Sequence, residues 1–427
     1  MTRWARVLAL AVAATLLTGA APTPTPSPTA PPTLREREYW LEDYGITDAW
    51  KTTRGEGVTI AVIDTGIAEG PKHFDGAVVG GTDVSGAGTP NGRTPVDVID
   101  PDHGSKVASL AAGRAVPDEK GKGMVGVAPG ANLLSVSLGF GSAATVPFAE
   151  QVARAVVWSV DNGADVINMS FTTNQQGWDE SWDEAFLYAM QNDVVIVVAA
   201  GNRGSGTSSV GAPATIPGVL TVAGVDPEGR ASVEASTQGI TIGVSAPSEK
   251  LLGVTIDGKV EEWNGTSGAA PIVAGVAALV RSAHPELSAI DVINRIVKTA
   301  REPEGVQVPD AFYGYGLVDA GAAVTASVPH VTANPMGDLE RWIELYRYRP
   351  AEPQPEPTVT PVEVPPLPPA DPPAEAASPY LPSADALRYG TLPLVALSGA
   401  GILVVLGVIA AVRRVRSARV RRSPGNP

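Results

Sequence analysis

Gly57-Val58-Thr59-Ile60-Ala61-Val62-Ile63-Asp64-Thr65-Gly66 is a nearly continuous apolar run that stops abruptly at a carboxylate. A run of this kind lacks the alternation of a half-wetted strand and predicts a strand buried on both faces, the condition of parallel sheets flanked by helices. A second such run, Asp193-Val194-Val195-Ile196-Val197-Val198-Ala199-Ala200, ends in Gly201-Asn202, and a third candidate strand is Val166-Ile167-Asn168-Met169-Ser170. Small-residue stretches suited to close-packed helices follow His103 and Ser267. The reading is an α/β domain with a mostly parallel central sheet. Ligands and catalytic groups in such sheets gather at the carboxyl ends of strands, which is where Asp64 falls.

Four polar positions then acquire a joint meaning. Ser267, in Gly265-Thr266-Ser267-Gly268-Ala269-Ala270-Pro271, opens a helical run. Unpaired N–H groups at a helix N-terminus favour the negative charge that develops on an attacked carbonyl oxygen. A serine hydroxyl is a weak nucleophile and requires a base. Of four histidines, His103 is the best candidate, because Gly104 and the small residues after it let a helix start close against a sheet. His73, in a loop with Asp75, is a weaker rival, and His284 and His330 read as solvated surface residues. Asp64 would hold the His103 tautomer and stabilise the imidazolium. The Asn202 amide, with the Ser267 N–H, predicts an oxyanion hole. Each residue alone has an ordinary reading, Asp64 as a helix cap and Asn202 as a turn residue.

The order Asp, His, Asn, Ser, with these four segments, resembles the subtilisin-like serine protease family over about residues 38 to 325. More narrowly, Tyr39-Trp40-Leu41 through Asp48-Ala49-Trp50 ahead of the first strand, together with the tail described below, is similar to the mycosins, membrane-anchored proteases of type VII secretion. The resemblance implies a subtilisin-like three-layer fold and an acyl-enzyme mechanism with Asp64, His103 and Ser267 as the triad. It also implies that Ser170, Phe171 and Thr172, with Ala200 and Gly201, bind the substrate residue preceding the cut. Two departures are visible. Relatives often carry Leu-Gly where this chain has Phe171-Thr172, and a β-branched residue there narrows that pocket. Mycosins generally contain cysteine, whereas this chain has none.

The remaining segments set the compartment. Residues 1–20 read as a signal peptide, with Arg3, Arg6, an apolar run from Val7 to Leu17 and small residues around Ala20, and a Pro/Thr-rich segment follows over 21–37. The protease domain is expected over 38–330, with the extension from Leu34 to Tyr44 wrapping on it and no room for a prodomain. A Pro-rich linker over 331–390 favours polyproline II and acts as a spacer. A transmembrane helix over 391–412 and a basic tail over 413–427, with Arg413, Arg414, Arg416, Arg419, Arg421 and Arg422, complete the chain. By the positive-inside rule the tail is cytoplasmic and the protease lies outside the membrane.

A net charge of −14 and a pI near 4.8 exclude a nucleic-acid partner. No cofactor or metal is implied: the histidines show no ligand-like pairing, and Asp97, Asp100 and Asp102 read as a solvated acidic loop. Trp178 to Glu184 is expected to open a helix, since carboxylates favour a first turn. The partners expected are a protein or peptide substrate, the membrane through the C-terminal helix and, by resemblance, a type VII secretion membrane complex. The alternative is a structural component of that complex with dispensable proteolysis.

Overall fold

A computed structural model describes residues 31–97, 99–348 and 392–420. The expected signal peptide, the start of the Pro/Thr-rich segment, the segment 349–391 and the last residues of the basic tail lie outside them. The chain divides into two compact units, 1–350 and 351–427.

The first unit is built on a seven-stranded sheet in the order β2-β3-β1-β4-β5-β6-β7. The strands are β1 (Thr59–Asp64), β2 (Val78–Asp83), β3 (Asn132–Ser137), β4 (Val166–Met169), β5 (Val195–Ala199), β6 (Leu220–Val225) and β7 (Ile242–Pro247). Every pairing in this sheet is parallel. The continuous apolar runs are explained by burial on both faces. Ile60 and Val62 enter one core with α1 (His103–Ala112), α4 (Thr266–Ala283) and α5 (Ala289–Lys298). Ala61 and Ile63 enter the other, with α2 (Phe148–Asp161) and α3 (Ser181–Gln191). The result is three layers, helix on sheet on helix.

Topology fixes where a site can form. The chain lays β2 and β3 on one side of β1, then crosses to place β4 on the other, so the strand order reverses at β1. The crevice beyond the carboxyl ends of β1 and β4 is the switch point where α/β sheets bind ligands. Register aligns Val62 with Asn168 and Ile63 with Met169. The two-residue period therefore turns Asp64, Asn168 and Ser170 to one face, the face covered by α1 and α4.

Beyond the sheet, β8 (Leu251–Val254) and β9 (Val260–Trp263) pair as an antiparallel hairpin. The extension ahead of β1 does wrap on the body. Thr33 caps the turn Leu34–Arg37 in a reciprocal box with Glu36, Trp40 is fully buried, and the Tyr39 hydroxyl donates to the Glu249 carbonyl at 2.9 Å. The helix expected after Trp178 begins at Ser181, with Asp183 and Glu184 in its first turn.

The body extends past the boundary expected at 330. Helix α7 (Leu339–Tyr346), which follows the short α6 (Ala320–Thr325), buries Leu339 and Ile343 in the second core. Trp342 packs on Trp178, and Arg347 Nε meets Asp183 at 2.7 Å. The linker reading of 331–348 missed an apolar face of about two turns because proline dominates the sequence just beyond it.

In the second unit, α8 runs Leu392–Val420, with Leu394, Leu397, Ile402 and Leu406 among its exposed apolar side chains. Its apolar part among the described residues is Leu397–Ala411. By length and composition α4 alone among the described helices qualifies as a span, and it is the buried central helix of the first unit.

Candidate active site

Asp64 ends β1 and is fully buried. Its Oδ1 accepts the Thr65 N–H at 2.7 Å and meets His103 Nδ1 at 2.7 Å, while Oδ2 has no hydrogen-bond partner. His103 is the first residue of α1, and Gly104 lets that helix start against the sheet. The Gly104 N–H donates to Thr65 Oγ1 at 2.9 Å, and a Cβ on Gly104 would stand 2.5 Å from the Gly66 carbonyl oxygen. The imidazole is thus held at Nδ1, with Nε2 left for the cleft.

Several charges act on His103. Burial pulls its pKa down and is the largest single influence, but the charge and hydrogen bond of Asp64, helped by Asp100 and opposed by Lys106, hold it above the ordinary histidine value. The Trp263 ring of β9 stands edge-on to the imidazole, with centroids 5.8 Å apart and planes at 78°.

Ser267 is the second residue of α4. Its hydroxyl donates to the Ser170 carbonyl oxygen at 2.9 Å, and the Ser170 hydroxyl donates to the Ser267 carbonyl oxygen at 2.8 Å. Gly265 precedes it at φ 143°, and a Cβ there would stand 3.1 Å from Asn202 Nδ2. Asn202 follows β5, and its Oδ1 accepts both the Thr266 N–H at 2.8 Å and the Thr266 hydroxyl at 3.0 Å. With Oδ1 pinned to the start of α4, the amide N–H group is the end left for a ligand.

Asp64 lies beneath a cleft of about 290 Å³ lined by His103, Ser267, Asn202, Ser170, Phe171, Thr172 and Gly201. Phe171 is also packed against Phe140 and Phe148. Thr172 donates its hydroxyl to the Gly211 carbonyl at 2.9 Å, and its methyl, with that of Thr207, closes over Gly201. A Cβ on Gly201 would lie 2.8 Å from the Thr172 methyl and 2.7 Å from that of Thr207.

Ala200 is a correction. It is fully buried in the second core, and Ala199 lines the cleft in its place. The two-residue period of β5 turns Ala199 and Gly201 to one side and Ala200 to the other.

His73 lies apart from this site, buried in the short turn Lys72–Phe74, with neither ring nitrogen hydrogen-bonded and Nε2 3.9 Å from the Glu119 carboxylate. His284, expected at the surface, is half-buried with Nε2 bonded to the Val324 carbonyl at 2.7 Å. The acidic loop is only partly solvated: Asp97 and Asp100 line the cleft, and Asp102 accepts the Ile256 N–H at 2.7 Å. Thr65, Thr266 and Trp263 escaped the sequence reading. The threonines sit next to singled-out residues and carried a local signal, whereas the Trp263 contact spans 160 positions and left none.

The subtilase family model matches residues 55–316, and the chain belongs to that family; it is a serine endopeptidase. Among its relatives are mycosins. Mycosin-1 of Mycobacterium tuberculosis (strain ATCC 25618 / H37Rv) is 35% identical over 342 residues, covering 68% of this chain and 74% of the relative. Subtilisin DY of Bacillus licheniformis is 34% identical over 277 residues, covering 63% and 92%. The crystal structure of MycP1 from the ESX-1 type VII secretion system superposes with a TM-score of 0.61 at 32% identity, covering 74% of this chain and 92% of that one.

Proposed function

We propose that the chain is a membrane-anchored, extracytoplasmic endopeptidase in which Ser267 is the nucleophile, His103 the base and Asp64 the orienting acid. The observation that carries this reading is the 2.7 Å contact between His103 Nδ1 and Asp64 Oδ1, made on the side of the ring away from the cleft. The proposed reaction requires the Ser267 hydroxyl to leave the Ser170 carbonyl, which it meets at 2.9 Å, and to turn to His103 Nε2. The hydroxyl proton then passes to Nε2 as Oγ bonds the substrate carbonyl carbon. Negative charge appears on the carbonyl oxygen, where Asn202 Nδ2 and the Ser267 N–H are the donors, each worth about 3 to 4 kcal/mol of barrier. Nε2 returns the proton to the leaving amine, and water, deprotonated by the same nitrogen, hydrolyses the acyl ester.

The anchor is the stretch Leu392 to Val412, 21 residues without a charge. At 1.5 Å per residue a helix of that length reaches about 31 Å, against roughly 30 Å for a hydrocarbon core. The arginines that begin at Arg413 give the orientation, tail inside and protease outside. A role in type VII secretion is supported by the mycosin relatives, one of whose structures is described as coming from such a system.

One experiment tests both parts. Membrane and soluble fractions of cells producing the full chain are treated with a fluorophosphonate probe beside a Ser267→Ala control. Label on the parent alone, confined to the membrane fraction, is the expected outcome. An unlabelled parent would refute the triad, and label in the soluble fraction would refute the anchor.

A further inference from the structure

Asn168 interrupts an otherwise apolar strand. It is fully buried in β4 among Val166, Ile167 and Met169. Burying an amide without partners is costly, and Asn168 is only half satisfied. Its Nδ2 donates to Ser170 Oγ at 3.0 Å, while Oδ1 has no hydrogen-bond partner. Valine or isoleucine would suit the sheet better here, so the use of the amide must lie with its one partner.

That partner serves the nucleophile's backbone. Ser170 Oγ donates to the Ser267 carbonyl oxygen at 2.8 Å. Within an α-helix the carbonyl of residue 267 would take the N–H of residue 271. Residue 271 is a proline inside α4, and proline has no N–H to give. The Ser267 carbonyl is therefore left without its helical donor at the position where the chain needs the most exact geometry. A carbonyl offers no proton, so the single proton of Ser170 must point at Ser267. A lone pair of Ser170 must then take the Asn168 N–H. The orientation of the amide follows from the chain of donors and is not a free choice.

We propose that Asn168 is a positioning residue: Pro271 leaves the Ser267 carbonyl without its helical donor, and the Ser170 hydroxyl, aimed by Asn168, captures that carbonyl in the donor's place. Anchoring that carbonyl fixes ψ of Ser267 and so the direction of its side chain and of its N–H relative to Asn202. Neither Asn168 nor Pro271 lines the cleft. The inference rests on the reading of Ser267 as nucleophile.

The test uses the full chain, with kinetics per titrated active site and thermal melts to establish folding. Asn168→Ala should lower kcat about ten- to a hundredfold with KM within about twofold, and should slow fluorophosphonate inactivation by a similar factor, since misplacement of reacting groups acts on both. Ser170→Ala should cost about as much, and the double variant little more than either, because both lie in one chain of donors. Pro271→Ala supplies an N–H to the Ser267 carbonyl, so adding it to Asn168→Ala or to Ser170→Ala should recover most of the loss. A role in stability alone would lower the melting temperature and leave kcat per site unchanged. Unchanged kcat in folded Asn168→Ala, additive losses, or no recovery with Pro271→Ala would each overturn the proposal. If Asn168→Ala does not fold, the Ser170→Ala pair with and without Pro271→Ala decides it. A parent that labels no better than Ser267→Ala removes the nucleophile reading, and this inference with it; a labelled parent with unaffected variants removes this inference alone.

Discussion

His103 balances burial, which favours the neutral ring, against Asp64 and Asp100, which favour the charged one, and the acids win. In the proposed mechanism it is the neutral ring that accepts a proton from Ser267, so activity should rise as pH climbs through a value above the ordinary histidine pKa of about 6.5. Stability contributed by His103 runs the other way. A raised pKa in the folded state stabilises fully below the unfolded value and is lost as pH rises through the folded one. The acid limb of kcat/KM should therefore have its midpoint above about 6.5, and Asp100→Asn should move it down by removing one of the raising charges. A limb at or below the ordinary value, or one indifferent to Asp100→Asn, would contradict this account.

At the scale of elements, the cleft is the gap between the chain leaving β4 and the chain leaving β5, and its width is set by what stands on each. Gly201, at φ 104°, leaves room on one side, and the Thr172 and Thr207 methyl groups take that room back. Thr172 is held in place by its bond to the Gly211 carbonyl, so the wall does not swing aside at no cost. Small side chains before the cut are the expected preference. Thr172→Gly should raise kcat/KM for a peptide with phenylalanine at that position, relative to alanine, by about tenfold or more, the scale on which a hydrophobic pocket discriminates methylenes. Matched peptides assayed with both proteins give the ratio, and an unchanged ratio would mean that the wall lies elsewhere.

At the scale of the whole molecule, the segment ahead of β1 is a strap that crosses the body and ties down the loop near residue 125. Glu38 is its buried clasp: the carboxylate accepts the Val125 N–H at 3.0 Å and the Arg35 Nε–H at 3.0 Å. Burial pushes its pKa up to about 8, against the Val125 bond and the Arg35 charge. Between the unperturbed 4.5 and about 8 the folded protein holds a proton that the unfolded chain has released. The contribution is therefore greatest below 4.5 and is lost as pH rises through about 8. Glu38→Gln cannot titrate, so between pH about 6 and 8.5 its urea midpoint should fall less than that of the parent. Equal falls in the two proteins would show that the clasp does not titrate in that range.

The sequence by itself determined the α/β class and the buried parallel strands, because a chain buried on both faces must be apolar at every position, and such runs as Val58–Ile63 are visible without coordinates. It also determined which polar residues could meet, since Asp64 and Asn202 each stand where an apolar run stops at a strand's carboxyl end. Only the tertiary structure decided what faces what. Ala200 and Ala199 are indistinguishable as letters, yet the pleat sends Ala200 into the second core and Ala199 to the opposite face, where it belongs to the first core and borders the cleft. The segment after 330 reads as the start of a spacer until Trp342 finds Trp178 and Arg347 finds Asp183. Trp263 beside His103, and Ser170 supplying the donor that Pro271 withholds from Ser267, are contacts between residues about a hundred or more positions apart. Local sequence carries propensity and period, which act over a few residues; such pairings are set by strand order and helix placement, which exist only once the chain has folded.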